Sequence, residues 1–428
     1  MSEYSSAKPI QEEMGSRFDA ILASGGGINP HPFYRECRSV APIFWSKATK
    51  AWVLTKYSDV RRVLGEEEEF AVLYGQAGAT IHGRTVLQMR GEEHRKKNAI
   101  IARVVRNPVA ITGRIRQKVE AVSKQLIDTL LATPEVVDVR AEYTSLLPLT
   151  IIAWLLGIED PTPLRGWYRA LAQAGVENLV ADPSRQAAGE GALHKFEAII
   201  APVIEEKRRN PTDDIISALV SADYGGEPMS AAEVETLCGF LLTAGVETTD
   251  RSLTSLFALL AQDEMLWSQL QSEKSLVTSA AVEILRYEPP VQGLGRMALA
   301  DTEFHGVEVP KGGRVIGIIA SANRDDDVFD QPDNFDVTRF ADSADREFTP
   351  AGKTLPFGAG VHHCTGSLLA KLELTTAIGD FLDHFISIKV PDGFRIEMDG
   401  VMLRSPRALP LSLSPKSGTL GPPLRATP

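Results

Sequence analysis

From Ser230 to about Gln262 nothing in the sequence interrupts a helix. That run is about 33 residues, or roughly 50 Å at a rise of 1.5 Å per residue. Ser230 and Glu233 have the Ser-x-x-Glu spacing of a capping box, which satisfies amide groups left open at a helix start. The centre, Leu237 to Val246, is apolar almost all round, so the middle of the helix must be buried. A buried helix of that length crosses a whole domain. The 428 residues are therefore expected to form one domain over 1–413, with the Pro/Gly/Ser-rich stretch 414–428 as a disordered tail.

The rest of the chain reads as mostly α with a small β region. Trp52 to Thr55 has strand character, and Ser58 is placed to cap a short helix ending at Leu64. The run Glu66 to Glu69 reads as an exposed helix end, and the Gly/Ala-rich stretch 71–88 as a long loop. Helical periodicity then covers 92–105, 112–132, 141–157, 163–178, 187–208 and 213–221, and, after the long helix, 264–272 and 275–287. Short strands are expected at 303–304, 307–309 and 314–318, an irregular region at 322–357, a helix over 368–385, and strands and turns at 386–414.

Three cysteines, Cys37, Cys238 and Cys364, are too few and too scattered for a disulfide framework, which fits a reducing cytoplasm. Met1 to Gln11 is polar and unlike a secretory leader, and the apolar stretch 145–158 is too short to span a bilayer. The expectation is a soluble, cytoplasmic monomer. Net charge is −11, yet residues 90–118 hold nine Lys/Arg against two Glu, a local +7 in a remainder of −18. The basic run lacks interleaved aromatics, which argues against nucleic acid. A solvated helix face and a docking face for an acidic protein both remain open.

Chemistry concentrates in residues 357–366, Phe-Gly-Ala-Gly-Val-His-His-Cys-Thr-Gly. Glycine lets backbone come close to a bulky ligand, and a cysteine at a helix start has its thiolate favoured by free amides. A haem iron bound through sulfur fits best. Zinc is disfavoured, because no second Cys/His pair has suitable spacing. A nucleophilic cysteine lacks a recognisable signature, and a structural cysteine is the bland alternative. In the long helix, Ala244-Gly245-Val246-Glu247-Thr248-Thr249 puts a glycine, a carboxylate and hydroxyls into an apolar stretch. Gly245 costs about 1 kcal/mol there, for which close approach of a cofactor is one reason. Thr248 bonding back to the Ala244 carbonyl is the structural reading of that segment. Glu283 and Arg286, three apart, can pair, and Arg339 can join them as a second partner of Glu283.

These segments together resemble the haem-thiolate monooxygenases of the cytochrome P450 superfamily, over about residues 30–413. The loop matches the family's Phe-Gly-x-Gly-x-His/Arg-x-Cys-x-Gly at each fixed position. Ala244 to Thr249 matches its oxygen groove, and Glu283, Arg286 and Arg339 its structural lock. The resemblance implies the cytochrome P450 fold, with a long central helix over a haem b. It makes Cys364 the axial ligand, Thr248 the holder of dioxygen and a proton-delivering water, and Glu247 the proton relay. His94, Asn98, Ala244, Arg296, Phe357, Gly358, His362 and Gly366 would contact the haem. Many bacterial relatives carry His-x-x-x-Arg where this chain has His94 and Asn98, so one propionate would have a weaker partner, or Lys97 or Arg95 would substitute.

The resemblance also implies electrons from NAD(P)H through a reductase and an acidic ferredoxin, docked by Arg95, Lys96, Arg103 or Arg106 with an exposed His363. A peroxide-driven peroxygenase is the enzymatic alternative, disfavoured by the presence of both Glu247 and Thr248. A non-catalytic haem-binding module is the alternative from another class. The substrate pocket would involve Tyr74, Val86, Leu87, Leu241, Ala244, Val291 and Leu294, apolar choices that suit hydroxylation or epoxidation of a terpenoid, steroid, fatty acyl or polyketide skeleton. Arg84 is either an anchor for an acidic substrate or, more simply, a solvent-facing charge.

Overall fold

The computed structural model describes residues 4–73, 81–133, 136–178, 181–222 and 229–417. Tyr74 and residues 418–428 lie outside them. The capping box forms as its spacing requires. Glu233 N–H donates to Ser230 Oγ at 3.3 Å, and Ser230 N–H donates to the Glu233 carboxylate at 3.2 Å. From that cap the long helix runs Ala231–Leu260. It packs against the helices Leu146–Leu155, Trp167–Gly175, Pro183–Arg209 and Ser367–His384, which surround it with apolar side chains. No helix among the described residues is long and apolar enough to cross a membrane.

The β region is small. A five-stranded sheet has the order Ile43–Ser46, Ala51–Leu54, Arg314–Gly317, Leu294–Ala298, Phe70–Val72. Only the Ala51–Leu54 and Arg314–Gly317 pair is parallel. A three-stranded sheet joins Val136–Asp138 to the antiparallel strands Pro410–Pro415 and Phe385–Lys389. The strand Pro410–Pro415 carries order past residue 413, and Lys416 continues it by donating to the His384 and Leu382 carbonyls.

Several boundaries differ from expectation for tertiary reasons. The helix Tyr57–Gly65 is not capped by Ser58, which lies inside it. Instead Asp325, remote in sequence, accepts from Tyr57 N–H at 2.8 Å. The stretch 163–178 divides into a 3-10 turn, Thr162–Leu164, and the helix Trp167–Gly175, because Gly166 takes φ +85° between them. The helices Tyr4–Ala23 and His31–Val40, unassigned from sequence, open the chain.

Gly245 has a different purpose from the one expected. A Cβ there would lie 2.5 Å from Ile152 Cδ1 and 2.9 Å from its Cγ1, so the glycine admits the neighbouring helix and not a cofactor. Gly245→Ala should therefore destabilise the protein by about 1–2 kcal/mol, overpacking outweighing the gain in helix propensity. In an Ile152→Ala background the same change should become neutral or stabilising, because the new methyl enters vacated space. Denaturant titration of the four proteins measures both effects; an unchanged cost in the second background would remove the helix-packing explanation.

Candidate active site

The glycines of the sulfur loop have separate tasks. Gly358 and Gly360 adopt φ of +73° and +66°, which other residues reach only with strain. A Cβ on Gly360 would also lie 2.4 Å from the Gly65 carbonyl oxygen, so it lets the loop seat on the end of the helix Tyr57–Gly65. Gly366 begins the helix Ser367–His384, and its amide favours the Cys364 thiolate. Cys364 N–H donates to the Phe357 carbonyl at 2.9 Å, closing the loop. Cys364 is surrounded by protein atoms yet open to solvent-sized contact.

Burial raises the Cys364 thiol, and the Gly366 amide and the Arg106 charge only partly oppose it. The helix start is thus too weak to hold a thiolate alone. A metal cation, which deprotonates a coordinating thiol outright, supplies what is missing.

The lock forms in full. Arg286, with no exposed surface, donates to both Glu283 oxygens at 2.8 and 2.7 Å and to the carbonyls of Asn323, Pro332 and Asn334. Arg339 reaches the same Glu283 oxygen at 3.2 Å and also holds the Asp330 carbonyl. Asn323 then passes the constraint on, its side-chain oxygen accepting from Leu355 N–H at 2.9 Å just before the sulfur loop.

A cluster of basic side chains lies beside that loop. The His94 and His362 rings are 4.3 Å apart, and Arg296 is close enough to His362 to repel its proton. Burial, together with His94 and Arg296, pushes His362 down to about 4. Burial lowers His94 and takes Arg296 to about 10. Arg296 is deeply buried, and its one hydrogen bond among the described residues is to the carbonyl of Gly295. Glu67 is the carboxylate nearest the cluster, 4.0 Å from His362 and 3.9 Å from Arg90. With His94 and His362 held neutral, Arg90 and the deeply buried Arg296 have one nearby carboxylate between them, and both rings keep N–H donors to offer. Two cofactor propionates fit that deficit, so Arg296, His94 and His362 could hold them.

Asn98 and Lys97 do not join this cluster. Thr365 Oγ1 donates to Asn98 Oδ1 at 2.6 Å. Lys97 pairs with Glu233 at 2.7 Å, at the start of the long helix. His363, expected on the surface, is buried against Phe357, ring centroids 6.0 Å apart. The loop's turn at Gly360 carries Val361 outward in its place.

In the long helix, Thr248 donates to the Ala244 carbonyl at 2.9 Å, as its structural reading requires. With its proton committed, the hydroxyl keeps lone pairs to accept a further hydrogen bond. Glu247 is buried and turned along the helix, where Arg251 donates to Oε1 at 2.7 and 2.6 Å. Its Oε2 has no hydrogen-bond partner, and no direct bond joins it to Thr248 among the described residues. Val86 is in the main core, with Leu87, Leu241 and Ala244 packed against it. Leu294 packs instead with the smaller cluster under the five-stranded sheet, and Val291 bridges Leu403 through its backbone. Arg84 forms a two-pronged pair with Glu93.

Three residues escaped the sequence reading. Glu67 was hidden in a run of four acids, and Thr365 looked like a spacer between Cys364 and Gly366. Glu373, nine residues after Cys364, is pushed up to about 8 by burial and accepts from Thr249 at 3.4 Å. Its only signal is a charged residue at a core position of an apolar helix.

Arg296→Met should stabilise the cofactor-free chain, because an under-paired buried guanidinium is replaced by an apolar side chain. The same variant should lose haem faster to an acceptor protein. Thermal unfolding of the apoprotein and a haem-transfer assay read the two effects; slower unfolding without faster haem loss would separate Arg296 from the cofactor.

Residues 182–408 match the family model described as Cytochrome P450. The chain is 28% identical to pulcherriminic acid synthase of Bacillus subtilis, over 91% of this chain and 96% of that protein. It is 30% identical to mycinamicin IV hydroxylase/epoxidase of Micromonospora griseorubida, over 85% and 89%. Its fold is similar to the crystal structure of CYP109E1 from Bacillus megaterium in complex with testosterone, with a TM-score of 0.78 at 25% identity, covering 90% of this chain and 99% of that one. The chain therefore belongs to the cytochrome P450 family, whose members are oxidoreductases built on haem b.

Proposed function

We propose that this protein is a monooxygenase that hydroxylates or epoxidises an apolar small molecule, with Cys364 as the axial haem ligand. The observation that carries the reading is Cys364, set among protein atoms yet accessible, on a loop beside the buried, under-paired Arg296 and the neutral His94 and His362. Haem held through a thiolate supplies dioxygen activation, the sulfur's electron density favouring O–O cleavage. Arg296, His94 and His362 bind the propionates. Thr248, its proton given to Ala244, accepts a hydrogen bond at the oxygen groove and orients a water there. Glu247 uses its unpartnered Oε2 to pass protons toward that water, and Arg251 steadies its other oxygen.

A substrate with an apolar skeleton suits Val86, Leu87, Leu241 and Ala244, which share one hydrophobic cluster. The testosterone in the CYP109E1 crystal structure and the mycinamicin IV in the other relative's name support that class.

Electrons reach the haem from NAD(P)H through a reductase and an acidic ferredoxin, on the face of the helix Gly91–Val105. Much of the basic segment is neutralised locally: Lys96 pairs with Glu92, Lys97 with Glu233 and Arg114 with Asp213. Arg95 and Arg103 are exposed, and Arg106 lies near enough to Cys364 to act on its thiol. The exposed Val109 and Val361 add apolar contact. The protein works in the cytoplasm as a monomer.

The reduced, CO-bound protein should absorb at the thiolate-specific position, and Cys364→Ser should abolish that band. Thr248→Ala should lower product formed per O2, with hydrogen peroxide making up the difference, while Glu247→Gln slows turnover about 100-fold. Undiminished coupling in the threonine variant would defeat the oxygen-groove assignment. Reversing Arg95 and Arg103 to Glu should slow association with an acidic ferredoxin about tenfold at low salt, the gap closing as salt rises. Equal rates at low salt would remove the docking assignment. Screening apolar compounds for a substrate-induced shift of the haem spectrum identifies the substrate class.

A further inference from the structure

Asn98 is on the same helix face as His94, one turn later, and its side-chain oxygen is engaged outside the His94–His362–Arg296 cluster. It accepts from Thr365 Oγ1 at 2.6 Å, and Thr365 is bonded directly to Cys364. Among the described residues, this is the hydrogen bond by which a side chain of the sulfur loop reaches another element. The His362 ring also meets His94 and lies 4.0 Å from Glu67, while the hydrogen bonds at Cys364 itself are made by backbone. Cys364 N–H is fixed by the Phe357 carbonyl, and Gly366, where a Cβ would lie 3.8 Å from the sulfur, has its amide close enough to favour the thiolate. The Cys364 carbonyl accepts only a long bond from Ser367 N–H, at 3.4 Å. The peptide between residues 364 and 365 would otherwise be free to rotate, and that rotation sets the angle at which Gly366 N–H meets the sulfur.

We propose that Asn98 is a positioning residue for the sulfur ligand, acting through Thr365. By holding the Thr365 hydroxyl it fixes the 364–365 peptide and keeps the Gly366 N–H on the sulfur. Hydrogen bonds to a ligating sulfur withdraw electron density from it and tune the metal's potential. The position that in the resemblance would carry a further cation for the propionates instead engages the sulfur loop, leaving Arg296, His94 and His362 as the residues that would hold the carboxylates. The inference rests on Cys364 being the axial ligand.

The test is made on the haem-loaded protein, by resonance Raman spectroscopy of the iron–sulfur stretch and by reduction potential, without substrate or electron donor. Asn98→Leu and the isosteric Thr365→Val should each raise the stretching frequency and make the potential more negative, because the sulfur loses a hydrogen bond. The double variant should shift the band no further than the larger single change. Asn98→Asp, which keeps an acceptor for Thr365, should restore the wild-type stretching frequency, whereas Asn98→Arg, which has none, should move it as Leu does. A band unmoved in Asn98→Leu with faster haem loss would make Asn98 a propionate ligand and overturn the proposal. A shift in Asn98→Leu that Thr365→Val does not reproduce would also overturn it. Absence of any iron–sulfur band in the unmodified protein would instead refute the ligand assignment of Cys364, a separate outcome.

Discussion

Arg286 has no exposed surface, yet each of its five N–H donors finds an acceptor. Burying a guanidinium and a carboxylate costs several kcal/mol per ion, and the pair is sustained only when the remaining hydrogens are also satisfied. Here the carbonyls that satisfy them belong to the irregular region between Asn323 and Asn334. That region has little regular structure of its own. The buried ion pair therefore gives an otherwise loose segment one conformation, and Asn323 transmits it to Leu355 and the sulfur loop. Rigidity at Cys364 originates more than 70 residues away in sequence.

Charge explains the next layer. Burial, with the charge of Arg296 beside His362, keeps His94 and His362 neutral, so the cluster carries the charges of Arg90 and Arg296 with Glu67 as its nearby carboxylate. Such an arrangement is stable only when further negative charge is supplied, which links completion of the fold to cofactor binding. Elsewhere the strongly basic segment 90–118 is far less basic than its composition implies, because several of its cations are paired with acids from the same or distant helices. What remains is a short stripe leading toward the sulfur.

Motifs whose function is local were legible in the sequence. The capping box, the turn-rich sulfur loop and the Glu283–Arg286 pair depend on residues within a few positions of one another, and each formed as its spacing requires. Features decided by a distant partner were not legible. Gly245 looks like a cofactor groove until Ile152 is seen against it. Ser58 is a good cap, but Asp325 supplies a better-placed acceptor. His363 neighbours a turn and was expected outside, yet Phe357 covers it. Asn98 read as a weakened propionate ligand, and its bond to Thr365, 267 residues away, left no sign in the sequence. The family resemblance assigned the cofactor correctly but could not show where this chain departs from the pattern.

The departure has a simple geometric origin in the helix Gly91–Val105. Successive residues on a helix point about 100° apart, so neighbours can serve different parts of a site. His94 faces the basic cluster, Lys97 reaches Glu233 in the capping box of the long helix, and Asn98 reaches Thr365 beside the sulfur. The outer face carries Arg95 and Arg103. One helix of 15 residues thus contacts the cofactor carboxylate region, the start of the oxygen-handling helix and the ligand loop, while presenting charge to solvent. Glu233 has a double role in this scheme, since the carboxylate that caps the long helix also fixes Lys97. An arginine at position 98 could not reproduce it, because a guanidinium would leave Thr365 without an acceptor. At that position the chain has a direct connection between the helix Gly91–Val105 and the residue that follows Cys364.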